Sequence, residues 1–141
     1  MGRGILYQGV LILHDFIMNL VVTGQYILNC FLGEWDGLIF VLTILMILES
    51  VTFIMLKYLK KKVEEVTIAE KISRKAAILF LVGVAHILDV HILKSDGALR
   101  SVVILFYLGS EGTAFLKNIS ALGVPIPKKL KDIMSKLREG T

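Results

Sequence analysis

The sequence predicts an all-α membrane protein. Three core transmembrane helices are expected to lie between an N-terminal amphipathic or spanning helix and a short basic amphipathic C-terminal helix. Hydrophobic residues make up 55% of the 141 residues and the mean hydropathy is +0.74, whereas soluble domains average about 45–50% apolar residues. The charged residues also fall into three clusters, separated by stretches long enough to cross a bilayer. Because a soluble fold needs charges on every surface helix, lipid is the expected environment of these stretches.

Three segments have the length and apolarity of a membrane span, since a hydrocarbon core of about 30 Å needs roughly 20 mostly apolar helical residues. They run from about Leu38 to Leu56, from Ala76 to Leu93 and from Ala98 to Leu116. Each should be helical, because backbone groups in hydrocarbon have no water to bond. The predicted organisation is therefore an N-terminal helix over 1–33, a three-helix core over 34–122 and a cytoplasmic basic tail over 123–141.

The segment from Ile5 to Leu32 has two interpretations. It is long enough to span, yet a stripe of polar residues recurs along it at helical spacing: Gln8, Asp15, Asn19, Tyr26 and Asn29, widened by His14 and Gln25. The segment can lie in the membrane interface as an amphipathic helix. It can also cross the membrane with its polar stripe against other subunits or water. We favour the interfacial position and keep the spanning one as the alternative.

The distribution of lysine and arginine predicts the orientation. The bases between the first two spans are Lys57, Lys60, Lys61, Lys62, Lys71, Arg74 and Lys75. Those after the third span are Lys117, Lys128, Lys129, Lys131, Lys136 and Arg138. The opposite side has only Lys94 and Arg100. By the positive-inside rule, the 57–75 loop and the C-terminus are expected in the cytoplasm, and the 33–37 and 94–97 turns outside.

Turn residues delimit the last two helices. Ser95-Asp96-Gly97 is a turn sequence, so the second and third spans should form a helical hairpin. Gly123 to Pro127 should end the third helix, because proline lacks an amide donor and clashes with the preceding turn. A final helix should begin near Pro127, with its apolar residues at helical spacing: Leu130, Ile133, Met134 and Leu137.

Ionisable residues interrupt the apolar spans and need partners, protonation or water, since each costs roughly 2.5–3.5 kcal/mol at the bilayer centre. Glu49 and Glu111 fall near mid-membrane or in its inner half. If Glu111 faces other helices, it is expected to be protonated there. Asp89 and Arg100 lie near the outer ends of the second and third spans, so we expect an ion pair between them.

The third span has one face that is too polar for lipid, formed by Arg100, Tyr107, Glu111, Ala114 and Asn118. Gly109 and Gly112 add small residues, which let helices approach closely in lipid. We therefore expect the chain to self-associate through this span. The candidates for contact with protein or water are Glu49, His86, Asp89, Arg100, Tyr107, Gly109, Glu111, Gly112 and Asn118.

Several function classes are excluded by the pattern. His86, Asp89 and His91 read as a possible metal motif, but His91 lies about 180° round the helix from Asp89, so the three cannot chelate one ion. No nucleophile has a nearby base and no phosphate loop is present, so neither an enzyme nor a cofactor is expected. The basic residues behind the net charge of +4 lie beside the spans. This position indicates a role in membrane orientation and in contact with anionic lipid, rather than nucleic-acid binding. Cys30 is the single cysteine, which rules out an intrachain disulfide.

Motifs in the second half of the chain carry a resemblance to a known family. They are Ala98-Leu-Arg-Ser-Val-Val-Ile-Leu-Phe-Tyr107, Glu111-Gly112, Lys117-Asn118 and Leu122-Gly-Val-Pro-Ile-Pro-Lys-Lys-Leu-Lys131. This stretch resembles the phage holin family that includes the clostridial toxin-secretion holins. The most specific positions are Gly123, Pro125, Pro127, Lys128 and Lys129. Phe31 to Leu38 and Ala85 to Asp89 also match, and Phe53 stands where the family usually has glycine.

The resemblance implies a homo-oligomer in the bacterial cytoplasmic membrane that opens lesions and releases a cell-wall hydrolase or a toxin. No residue would be catalytic, and the candidate residues above would form the subunit contact or line the lesion. Two alternatives come from other classes. One is a small multi-pass membrane adaptor or regulator that binds a partner through its basic cytoplasmic segments. The other is a proton-linked carrier that uses Glu49 and Glu111.

Overall fold

A computed structural model describes residues 2–60 and 67–140 and shows a helical protein. The helices are α1 (Gly2–Leu32), α2 (Gly37–Lys60), α3 (Ile68–Leu88), α4 (Ala98–Ala121) and α5 (Lys128–Glu139). A π-helical turn, Asp89–Leu93, continues α3 towards the α3–α4 connection. The predicted all-α class is confirmed.

Four of these helices are long and apolar enough to cross a membrane. The three predicted core spans are confirmed, and the structure extends them to Gly37–Lys60, Ile68–Leu93 and Ala98–Ala121. The fourth candidate, Leu6–Leu32, belongs to the segment whose position was left open. The chain is therefore a multi-pass membrane protein.

The structure describes residues 57–60 and 67–75 of the basic segment predicted as a loop over 57–75. All of these residues but Thr67 are helical, which corrects the prediction for them. α2 continues to Lys60, and α3 begins at Ile68 after Thr67, whose amide donates to the Glu70 carboxylate at 2.9 Å. Such a bond satisfies one of the amides left free at a helix start. Lys61 and Lys62 lie outside the described residues.

The core lies between α2, α3 and α4, where apolar side chains from all three helices meet. Ile39, Leu42, Val82 and Ile104 are at most 1% exposed. They belong to one hydrophobic cluster that also includes Leu32 at the end of α1. The centre of the bundle is thus filled by side chains, as expected for a close-packed interior.

α1 contributes little to this core. No residue in the most apolar stretch of the candidate span Leu6–Leu32 is buried against the rest of the chain. Only its last turn is anchored: the Phe31 ring packs edge-on to Phe80 of α3, with ring centroids 6.4 Å apart, and also contacts Gly83. The rest of α1 has no packing partner within the described part of the chain.

The end of α4 is set by Gly123, which has a φ of +93°. Its amide donates to the Ser120 carbonyl at 3.0 Å, and the Val124 amide donates to the Ile119 carbonyl at 3.3 Å. This pair of bonds is the usual way to close a helix on a left-handed glycine. The predicted stop between Gly123 and Pro127 and the predicted start of the last helix near Pro127 are confirmed.

Candidate functional site: two charged clusters and a covered helix face

The outer charged cluster is centred on Arg100 in the first turns of α4. The residue is 5% exposed, and its guanidinium donates to three acceptors in the α1–α2 connection. Nε donates to the Leu32 carbonyl at 2.6 Å, and the two terminal nitrogens donate to the Asp36 carboxylate at 2.5 Å and to the Glu34 carbonyl at 2.9 Å. A planar fork of donors suits this arrangement, which lysine could not reproduce. Arg100 thus fastens the start of α2 to α4.

Asp89 is also buried, at 1% exposure, and acts as a remote cap for α4. Its carboxylate accepts from the Leu99 amide at 3.1 Å and from the Arg100 amide at 2.7 Å, and the Ser95 hydroxyl also donates to it. The residue before α4 is Gly97, which has no side chain to supply a cap. A carboxylate at a helix start accepts hydrogen bonds from the free amides. Its negative charge also interacts favourably with the positive end of the helix dipole.

The prediction of a side-chain ion pair between Asp89 and Arg100 is therefore wrong. The two residues do meet, but through the Arg100 main-chain amide, while the Arg100 side chain turns to Asp36. The helix start provides amides closer to Asp89 than any guanidinium, and the α1–α2 connection provides the carbonyls that the guanidinium needs. His86 lies beside the same connection, since a Cβ on Gly33 would be 2.8 Å from His86 Nδ1.

The Asp36 pKa is below its ordinary value of 3.8. Partial burial acts in the opposite direction, but the hydrogen bond from Arg100 and the one from the Ile39 amide at 3.0 Å outweigh it. A carboxylate with a lowered pKa stabilises the fold above its unfolded-state pKa, and this contribution is lost as the pH falls through the lowered value. Because the Asp36 side chain is 41% exposed, solvent screening keeps that contribution small.

The inner charged cluster joins α2, α3 and α4. Glu49, which is 2% exposed, forms ion pairs with Lys71 and, at 2.9 Å, with Lys75. Lys75 is also paired with Glu111 at 2.5 Å, so two acids and two bases form one closed network. At 1.5 Å per residue, Glu49 lies about 18 Å from Gly37 at the start of α2. Glu111 lies about 20 Å from Ala98 at the start of α4. The lysines reach them from the first turns of α3 along their apolar stems.

Neighbouring groups complete the network. Asn118 donates to the Glu49 carbonyl at 3.2 Å and to the Thr52 hydroxyl at 3.1 Å. Lys71 Nζ lies 4.0 Å from the centre of the Phe53 ring. Arg74, Ser110 and Ala114 line an adjoining cavity of about 160 Å³. The network therefore borders a small cavity with a largely polar lining.

The network places several candidate residues against partners in the same chain. Glu111 lies against Lys75. Glu49, Asp89 and Arg100 are buried and have partners within the chain, and their part in a subunit contact or a lesion stays a prediction. Tyr107, Glu111, Asn118 and His86 remain partly exposed. Sequence reasoning missed Lys71, Lys75 and Asp36 as partners, although their charge and their position at the span ends were visible.

The small-residue face of α4 is covered by α5 of the same chain. A Cβ on Gly109 would meet the main chain of Leu137 and Arg138, and a Cβ on Gly112 would meet the Met134 side chain. These glycines allow a close helix approach, and within the chain the approaching helix is α5. The predicted contact of this face with a second copy stays a prediction. A second copy can use this face only if α5 leaves it.

The α4–α5 contact should depend more on Gly109 than on Gly112. Gly109→Ala is expected to separate the helices, because the new methyl group meets main chain that cannot rotate away. Gly112→Ala should be tolerated, because the end of a methionine side chain is flexible. Limited trypsin digestion of the purified protein in detergent measures this as the rate of cleavage within α5. Equal rates in the two variants would contradict the described packing.

Within residues 2–60 and 67–140, no three His, Cys, Asp or Glu side chains lie close enough to hold a metal ion. The polar groups of the bundle instead form the two networks above, which link helices to one another. The protein is therefore a helical membrane protein with a filled core and four long apolar helices. Its two polar networks link these helices within the chain.

Residues 26–139 match the model of the bacteriophage holin family. This match includes α2, α3, α4 and α5, and the chain belongs to that family. The holin family is a non-enzymatic, membrane pore-forming family, so the protein is not an enzyme. The predicted resemblance is confirmed at the family level, whereas residues 1–25, which form most of α1, lie outside the match.

Curated relatives come from several bacteria. An uncharacterized 14.9 kDa protein in the nagH 3' region of Clostridium perfringens is 31% identical over 105 residues, which is 74% of this chain and 80% of the relative. The uncharacterized protein YtkC of Bacillus subtilis is 26% identical over 77% of this chain and 80% of the relative. The uncharacterized protein Lmo0128 of Listeria monocytogenes is 40% identical over 45% of this chain and 44% of the relative. No solved structure shows significant similarity to the chain.

Proposed function

We propose that the protein is a holin that oligomerises in the bacterial cytoplasmic membrane and opens lesions through which a cell-wall hydrolase, or a toxin, leaves the cytoplasm. The observation that carries this proposal is the holin-family match across α2, α3, α4 and α5. The basic ends of α2 and α3 and the basic tail would face the cytoplasm under the positive-inside rule.

The packing of one chain supports an oligomeric lesion. The centre of the bundle is filled, with Leu42, Val82 and Ile104 fully buried. Over residues 2–60 and 67–140, a single chain therefore encloses no channel wide enough for a folded protein. Release of a hydrolase requires several copies to surround a common opening.

The position of α5 supports an aqueous surface next to α4. Arg138 lies beside Gly109, about 18 Å along α4 from Ala121. The bases of α5 would then stand at a depth where each charge costs roughly 2.5–3.5 kcal/mol in hydrocarbon. Water along this face, as at the rim of a lesion, removes that cost. In an intact bilayer, α5 would instead leave α4 and lie among the anionic headgroups.

Timed induction in bacteria tests the function. The protein is produced from an inducible promoter, with and without a co-expressed muralytic enzyme that has no secretion signal. We expect abrupt growth arrest after a delay, and lysis only when the enzyme is present. Val102→Leu is a matched control, because Val102 is 63% exposed on the apolar surface of α4 and the change adds only bulk there.

The alternatives give different results in the same experiment. A membrane adaptor would release neither small solutes nor protein. A proton-linked carrier would collapse ion gradients without exposing the cell wall to the enzyme. Either outcome would overturn the proposal.

A further inference from the structure

α1 has a seam of seven residues that is not used within the chain. Starting from Gln8, the seam alternates steps of four and three residues and consists of Gln8, Ile12, Asp15, Asn19, Val22, Tyr26 and Asn29. All seven side chains are exposed. This alternation is the heptad spacing by which helices pack along a common axis in a left-handed coiled coil. Five of the seven positions are polar.

The seam has the length of the hydrocarbon layer. From Gln8 to Asn29 it extends about 32 Å at 1.5 Å per residue, against a hydrocarbon thickness of about 30 Å. Asn19 is the middle residue of the candidate span Leu6–Leu32. Amide and carboxylate groups at these depths have no water to bond, and residues 2–60 and 67–140 supply no partner for the seam.

We propose that α1 crosses the membrane and that its seam binds the same seam of a second copy of the chain, in parallel. The inference rests on the oligomer of the proposed function and assigns it a contact outside the family match. Copies inserted with the same topology present α1 in the same direction, so each seam residue meets its counterpart. Glutamine, asparagine and tyrosine are self-complementary in such a contact, because each can both donate and accept a hydrogen bond.

The central asparagine fixes the register of the contact. An asparagine in a heptad seam bonds its counterpart only when the helices are aligned, which is how such residues select register and oligomeric state in coiled coils. Interhelical bonds of this kind also hold membrane helices together. The Asp15 carboxylate has a basic side chain beside it in the same chain, because His14 Nδ1 lies 3.7 Å away. At its other end, α1 is anchored to α3 by Phe31, so pairing of α1 links whole bundles.

Disulfide crosslinking of the full-length protein in bacterial membranes tests the seam. In a Cys30→Ser background, Val22→Cys is compared with Leu20→Cys, which lies about 160° away on the same helix at 100° per residue. We expect oxidation to give several-fold more dimer at position 22 than at position 20. Equal yields at the two positions, or no dimer at either, would overturn the proposal.

Two further measurements separate the alternatives. With crosslinking followed through Val22→Cys, Asn19→Leu should lower the dimer yield several-fold, and Asn19→Gln should restore much of it. A membrane-impermeant thiol reagent should fail to label position 22; labelling there would place α1 in the interface and overturn the proposal. Lysis assays on the same strains keep the two proposals apart: lysis without seam crosslinking overturns the α1 contact and leaves the holin function standing.

Discussion

Replacing Arg100 with glutamine is expected to destabilise the protein by about 3–5 kcal/mol, the range for removing one partner of a buried ion pair. The change leaves the Leu32 and Glu34 carbonyls and the Asp36 carboxylate without their shared donor. Because Asp36 is partly hydrated, the lower end of this range is expected. Unfolding in mixed detergent micelles, followed by circular dichroism, measures the loss.

Lys94→Gln is the matched control, since Lys94 is the other base near the start of α4 and is exposed. Its removal should change the free energy of unfolding by less than about 0.5 kcal/mol. Arg100→Lys should recover only part of the loss, because a point charge cannot reach three acceptors. A loss as small in Arg100→Gln as in Lys94→Gln would show that the guanidinium does not hold the α1–α2 connection.

A charge swap distinguishes the described geometry from the ion pair expected from the sequence. Asp89→Arg combined with Arg100→Asp would restore a side-chain pair. In the structure Asp89 instead caps α4 through main-chain amides, which the swap leaves uncapped next to a new positive charge. The double variant should therefore be at least as unstable as either single variant, and rescue by the swap would favour the side-chain pair.

The helices could be predicted from the sequence because apolar length, turn residues and charge clusters are local properties. Gly123 and Pro127 mark the end of α4 and the start of α5, and both positions are where the sequence places them. The helix ends beyond the spans were less visible, since Lys57 and Lys60 suggested a loop although a polar residue can extend a helix beyond the membrane.

The partners of the polar residues could not be read from the sequence. Spacing gives the depth and face of Asp89 or Glu111, but the partner depends on how the helices are rotated against one another. Lys75 lies 36 residues from Glu111 and Asp36 lies 64 residues from Arg100, and both meet only after packing. The small residues of α4 predicted a contact with a second copy, which stays a prediction. The intrachain contact with α5 was not predicted, because it depends on how the chain turns after Gly123.

Replacing Glu49 with glutamine should have the larger effect of the two inner acids. It leaves Lys71 and Lys75 side by side with only Glu111 to balance them, and we expect a loss of about 3–5 kcal/mol. Glu111→Gln should cost about 1.5–3 kcal/mol, the value of one hydrogen bond to a charged group, because Lys75 keeps Glu49 as a partner.

A charge-balanced double variant shows whether the loss of stability in Glu49→Gln comes from the lysine that is left without a carboxylate partner. Glu49→Gln combined with Lys71→Gln leaves the Lys75–Glu111 pair, which is neutral by itself. This double variant should be more stable than Glu49→Gln alone, although it carries one more substitution. Unfolding free energies of the two single variants and the double variant give the coupling energy, which we expect to be at least about 1 kcal/mol for residues in direct contact. Simple additivity of the two losses would mean that Glu49 and Lys71 are solvated separately, and the closed network between α2, α3 and α4 would then not exist in the membrane.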